Sequence, residues 1–221
     1  MHGKHGPQER IQAMLTLFAR GGIVMWPLLL LSFLAVTFII ERAIFFWRES
    51  LRQKFHDRQK ILSNVEKGNF EEAERIAQKS KGDFVIRVLL VGLLHRNHSL
   101  ARALETQSYN ELRRMKKFLT VLDTAITAAP LLGILGTVSG IISSFDALGL
   151  QGISDPTAVT KGISEALITT AFGLIIALGT LFPYNIFQSQ YQRAVAELES
   201  VCSVLEMIIE KLPEALRMTK V

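Results

Sequence analysis

With Cys202 as its only cysteine, the chain cannot form an internal disulfide, and a lone thiol in a charged helical segment reads as a plain buried group. Other shortages exclude whole classes of function. No glycine-rich phosphate loop is present: GILGTVSG lacks the Lys-Ser/Thr ending and sits inside an apolar run, so ATP is not the visible energy source. No nucleophile, base and orienting group can be assembled from the apolar stretches, so the chain does not read as an enzyme and has no catalytic residues to name. His95 and His98 form an H-x2-H pair with no third ligand nearby and read as solvated surface, while His2 and His5 read as part of a disordered polar end; neither a metal site nor a cofactor is expected. Basic and aromatic residues are not interleaved on one surface, so a pI near 9.5 does not point to nucleic acid.

The decisive shortage is of charge in three places. Ile23 to Ile40 is 18 residues without a charge, Thr124 to Phe145 is 22, and Ala166 to Gln192 is 27. Each is long enough to cross about 30 Å of hydrocarbon as a helix. The first exceeds the apolar length of a signal peptide and lacks a small-x-small cleavage site, so it reads as an anchor. The fold class is therefore all-α: an integral membrane protein with three transmembrane helices and long cytoplasmic helical extensions.

Charge then sets the orientation. Of 25 Lys and Arg, 17 lie between Glu41 and Leu119, and only Lys161 lies near the link between spans two and three. Cytoplasmic loops carry the Lys/Arg excess, which places the middle region and C-terminus inside and the N-terminus and short link outside. The expected organisation is a periplasmic amphipathic N-terminus over 1–22, a first span over 23–47, a cytoplasmic helical region over 48–122, a second span over 123–145, a periplasmic link over 146–155, a third span over 156–187 and a cytoplasmic helix over 188–221.

In the N-terminal part, Ile11, Leu15 and Phe18 share one helical face and suit a membrane surface. The first span, LLLLSFLAVTFII at its middle, is bulky and featureless and reads as a lipid-facing helix without chemistry. Asn69 and Ser99 are natural N-caps for cytoplasmic helices. From Ser99 no Pro or Gly appears until Pro130, so one helix of about 30 residues, roughly 45 Å, should run unbroken into the second span. The third span should start at Asp155-Pro156 and continue past Val195, Leu198, Val201, Cys202 and Leu205 until Pro213 stops it.

The second and third spans carry a pattern. Gly133, Thr137, Gly140 and Ser144 fall at i, i+4, i+7 and i+11 on one face, and Gly136 and Gly140 make a GxxxG pair. In the third span Gly162, Ala166, Thr169, Gly173 and Thr180 form a similar stripe, with Glu165 beside it. Small residues let membrane helices approach closely, and their hydroxyls supply polar atoms to the seam. Two readings of Glu165 stand side by side. An ionisable group within a span marks an ion path, because hydrocarbon penalises charge. Alternatively Lys161, four residues earlier, pairs with it near the headgroups, and the chain is a structural scaffold with no ion path of its own.

APLLGILGTVSGIISSF at 129–145, followed by GISEALITTAFGLIIALGTLFPYN at 162–185, resembles the paired signature of the MotA/TolQ/ExbB proton channel family, closest to its ExbB and TolQ members. It departs at Ser139, where ExbB and TolQ usually carry an aromatic residue after G-T-V. The resemblance implies a bacterial inner-membrane motor subunit that forms a homopentamer around two copies of a single-span ExbD/TolR-like partner and spends proton motive force on envelope work, with a TonB- or TolA-like protein as a further partner. By motif position it assigns Glu165, Thr137 and Thr170 to the pore lining. Thr169 is the hydroxyl on Glu165's own face, so the shares of Thr169 and Thr170 stay open, as does the choice of proton or sodium.

Overall fold

A computed structural model describes residues 21–151 and 156–213, the side chains of 147–151 and 156–158 excepted. The surface helix expected before Gly21, His2, His5, the Asp155 cap and the centre of the outer link lie outside the described residues. Seven helices cover nearly all of the rest: α1 Met25–Leu51, α2 Phe55–Glu66, α3 Phe70–Lys79, α4 Phe84–Leu94, α5 Leu100–Lys116, α6 Leu119–Gln151 and α7 Pro156–Lys211. No strand occurs among the described residues. Among the described residues three helices, α1, α6 and α7, are long and apolar enough to cross a membrane. The chain divides into two compact units, one of residues up to Ile40 with Phe118–Asn185, the other of Glu41–Lys117 with the residues from Ile186 onward.

The first unit holds the first two apolar stretches and the third as far as Asn185. Their outward faces are rows of exposed large apolar side chains, Leu29, Leu30 and Phe33 on α1 and Leu131, Ile134 and Leu135 on α6 among them, as hydrocarbon contact requires. The first span is not wholly lipid-facing, contrary to the expectation. Val24, Met25 and Leu28 at its start are buried in one cluster with Ala129 of α6 and Ala177 of α7. Leu132, Phe172 and Ile176 complete that cluster from the same two helices.

The second unit is built on α4, whose Phe84, Val85, Ile86, Val88, Leu89 and Leu93 are at most 2% exposed. At 11 residues α4 is too short to span a bilayer and is a core helix instead. Asp83 caps it, accepting from the Val85 N–H at 2.9 Å. Asp83 is itself fully buried and takes a two-point ion pair from Arg58, at 2.7 and 2.8 Å, plus the Lys54 N–H at 2.7 Å. Arg58 also reaches Glu197 on α7. α2 ends where Gly68 takes a positive φ of 75° and its N–H bonds the Val65 carbonyl at 2.9 Å. Asn69 and Ser99 do precede α3 and α5, but neither makes a side-chain capping bond.

The helix expected to run unbroken from Ser99 is broken at Lys117-Phe118. Phe118 adopts φ 65°, a left-handed conformation costly for a bulky residue. Its ring stacks on Phe38 at 4.6 Å between centroids. Before the break, Arg42, 2% exposed, donates to the Arg114 and Met115 carbonyls at 3.1 and 3.2 Å, satisfying acceptors that a helix end leaves without partners. These are long-range contacts, invisible to a search for Gly and Pro. By contrast α6 and α7 pass through Pro130 and Pro183 without ending. α7 runs 56 residues, about 84 Å, and stops two residues before Pro213 as the sequence suggests.

Candidate ion path between the second and third spans

The two small-residue stripes face one another along an antiparallel seam, α6 against α7. A Cβ added to Gly173 would lie 2.5 Å from the Ala129 carbonyl oxygen and 3.2 Å from the Gly133 Cα. One on Gly133 would lie 3.0 Å from the Thr170 Cα, and one on Gly140 would lie 2.6 Å from the Gly162 carbonyl oxygen. Gly136 receives the side chain of Thr169, and Gly162 receives the hydroxyl of Ser144. All five glycines named from the sequence are therefore points of close approach. Ser144 is buried and lies within bonding distance of both Gly140 O, at 2.9 Å, and Val159 O across the seam, at 3.2 Å.

At the middle of this seam the hydroxyls of Thr137 and Thr170 hydrogen-bond to each other. Thr170 Oγ1 is also 3.0 Å from the Gly133 carbonyl oxygen of the opposite helix, and Thr137 Oγ1 is 3.4 Å from that of Ala166. Two hydroxyl groups thus face each other and two carbonyl oxygens. Either oxygen can donate to the other, so the pair can reorient without losing its partners, which suits it to pass a proton or to offer uncharged oxygens to a cation. An open groove of about 340 Å³ lies alongside, lined by Thr137 together with Ile141, Ser144, Ile163 and Leu167.

Thr169 sits differently. It is fully buried, and its hydroxyl bonds within its own helix, to Ala166 O at 2.9 Å and Glu165 O at 3.1 Å. Its contacts are those of a packing residue against Gly136. Sequence position alone left Thr169 and Thr170 level; the seam distinguishes them because only the Thr170 hydroxyl bonds across to α6.

Glu165 is half-buried, and its carboxylate rests on Gly22, in the turn that enters α1. Among the described residues it forms no ion pair with Lys161 and no hydrogen bond to Thr137 or Thr170. The structure therefore brings Thr137 and Thr170 together and leaves Glu165 on a different side of α7. Gly22 was missed as part of the site. Its signal was the Gly21-Gly22 pair just ahead of the first apolar run, which reads as a helix breaker until the long-range neighbour is seen.

The family profile described as the MotA/TolQ/ExbB proton channel family matches residues 77–200, more than half of the chain. The chain belongs to this family. Among its relatives, the putative biopolymer transport protein ExbB-like 3 of Synechocystis is 37% identical over 196 residues, covering 86% of this chain and 92% of that protein. The ExbB-like 1 protein of the same organism is 36% identical over 197 residues, covering 86% and 77%. The biopolymer transport protein ExbB of Xanthomonas campestris is 33% identical over 107 residues, covering 48% and 42%. Membership makes the chain a membrane channel subunit of an energy-transducing envelope transport motor and not an enzyme. The matched stretch contains Thr137, Glu165, Thr169 and Thr170 and all of the seam.

Proposed function

We propose that the chain is the channel-forming subunit of a proton-driven motor in a bacterial inner membrane, with its N-terminus periplasmic and its C-terminus cytoplasmic. It works as a homopentamer around two copies of an ExbD/TolR-like single-span protein, embedded in lipid, and passes force to a TonB- or TolA-like protein. Protons move by way of Glu165, Thr137 and Thr170, with Thr169 as a packing residue of the same wall. The observation that carries this reading is the Thr137–Thr170 hydroxyl pair held across two apolar helices, with a carboxylate five residues from Thr170. A charge crossing the membrane field gains about 2.3 kcal/mol per 100 mV, an energy source that requires no nucleotide site.

The competing scaffold reading needs the Lys161–Glu165 ion pair, and that pair is not formed among the described residues. The deciding experiment reconstitutes the chain with its single-span partner in vesicles and compares Glu165→Gln, Glu165→Ala and Lys161→Ala. The proposal expects both Glu165 variants to abolish proton flux while the complex stays assembled, and Lys161→Ala to leave flux near wild type. Wild-type flux with Glu165→Ala would remove Glu165 from the path. Equal loss of assembly with Lys161→Ala and Glu165→Ala would favour the scaffold.

A further inference from the structure

Gly22 combines two properties. Its φ is +67°, in the left-handed region that favours glycine, and a Cβ there would overlap the Glu165 carboxylate and lie 3.3 Å from the Glu165 Cγ. The turn is anchored, because Val24, Met25 and Leu28 immediately after it are buried against Ala129 and Ala177. The entry to the first span is thus pinned to both other spans, and the bare Cα of Gly22 covers the carboxylate of the third.

We propose that Gly22 is a positioning residue for Glu165: its turn is a seat that holds the carboxylate at the entry to α1, away from the Thr137–Thr170 pair, and ion transfer requires the side chain to leave it. This rests on the reading of Glu165 as part of the ion path. The first span then becomes a third wall of the site. Glycine is required there for two independent reasons, the backbone conformation and the absence of a side chain. The adjoining position is closed in the same way, since a Cβ on Gly21 would overlap the Met25 side chain.

The seat is tested by geometry first. In the assembled complex with Cys202→Ser as background, the Gly22→Cys, Glu165→Cys double variant should form a disulfide under mild oxidation. The Glu165 Cβ is one bond beyond a Cγ that lies 3.3 Å from the Gly22 Cβ position, which brings the pair within reach of the usual bridging separation of about 3.5–4.5 Å. The Gly22→Cys, Thr170→Cys pair should not bridge. Failure of the first pair, or equal bridging by both, overturns the seat. The second measurement is labelling of Glu165 by a hydrophobic carbodiimide in the otherwise native complex. Gly22→Ala should raise the labelling rate several-fold by displacing the carboxylate from cover, whereas Gly179→Ala, where a Cβ meets nothing within 4 Å, should leave it unchanged. Unchanged labelling in assembled Gly22→Ala overturns the proposal. Neither readout depends on proton flux, so loss of the ion-path reading through Glu165→Gln remains a separate result.

Discussion

Thr137 and Thr170 meet hydroxyl to hydroxyl across the seam between α6 and α7, and both lie within bonding distance of the same carbonyl, that of Gly133, at 3.2 and 3.0 Å. Replacing either by Val keeps the shape and removes one polar partner. Each single change should cost about 0.5–2 kcal/mol of complex stability, the range found for polar contacts between membrane helices. The two should be coupled, with the Thr137→Val, Thr170→Val double variant costing less than the sum of the singles. A double-mutant cycle on thermal stability reads the coupling, and proton flux should fall in all three variants. Strict additivity would mean the hydroxyls do not act as a pair.

The seam also predicts a contrast between two glycines of one helix. Gly173→Ala drives a methyl to 2.5 Å from a backbone carbonyl that cannot rotate away, whereas Gly179 faces open space. Overpacking of this kind costs about 1–3 kcal/mol. Gly173→Ala should therefore lower the melting temperature of the detergent-solubilised protein, and Gly179→Ala should leave it unchanged or raise it through better helix propensity. Equal effects would show that α6 and α7 do not touch at Gly173.

Much of this was legible in the sequence because it depends on local pattern. The three uncharged runs, the stripe from Gly133 to Ser144 and the stop before Pro213 are all fixed by spacing along one helix. What spacing does not carry is which side of a helix a neighbour approaches from. Glu165 and Thr170 are five residues apart, well separated around the helix, and only the packing of α1 and α6 on α7 shows that one turns towards Gly22 and the other towards Thr137. The same limit explains the break at Lys117-Phe118: no residue there favours a turn, and the contacts that hold it come from Phe38 and Arg42, more than 70 residues away in sequence.

That break can be assigned to its cause. Arg42→Leu leaves the Arg114 and Met115 carbonyls without the guanidinium, at a cost of about 1–3 kcal/mol for an unsatisfied buried acceptor. Phe118→Gly removes the stack on Phe38, worth about 0.5–1.5 kcal/mol, but also relieves a left-handed conformation costing about 1–2 kcal/mol. Thermal unfolding should show Arg42→Leu clearly destabilised and Phe118→Gly close to neutral. The reverse order would make the ring stack, and not the guanidinium, the feature that holds the chain in its turn.

Cys202 offers a pH test of packing in the second unit. Burial pushes its thiol above the ordinary range; the Ser108 hydroxyl 3.7 Å away opposes this, and the nearby Glu206 charge adds to it. The thiolate is the reactive form, and a raised thiol holds less of it at neutral pH. Alkylation near neutral pH should therefore be slower in the folded protein than in the denatured chain. The difference should shrink as pH climbs past the normal thiol range and the folded thiol ionises in turn. Equal rates in folded and denatured protein near neutral pH would mean Cys202 is not covered as described.

The Arg58–Asp83 pair predicts an asymmetry between two carboxylates on one guanidinium. Asp83 is fully buried, holds Arg58 at two points and also caps α4, so Asp83→Asn removes the charge that offsets a buried cation and weakens the helix start together. Breaking a buried pair in this way costs about 3–5 kcal/mol. The Glu197 side chain is 29% exposed, and water can replace it, so Glu197→Gln should cost no more than about 1 kcal/mol. Chemical denaturation followed by circular dichroism measures both. Added salt separates the two further, because screening reaches the half-open Glu197 contact and not the enclosed Asp83 one, so the cost of Glu197→Gln should fall at high ionic strength while that of Asp83→Asn holds. Similar costs for the two variants, or an Asp83→Asn cost that salt erases, would mean that the Arg58 guanidinium is reached by water and that Asp83 matters only as a cap.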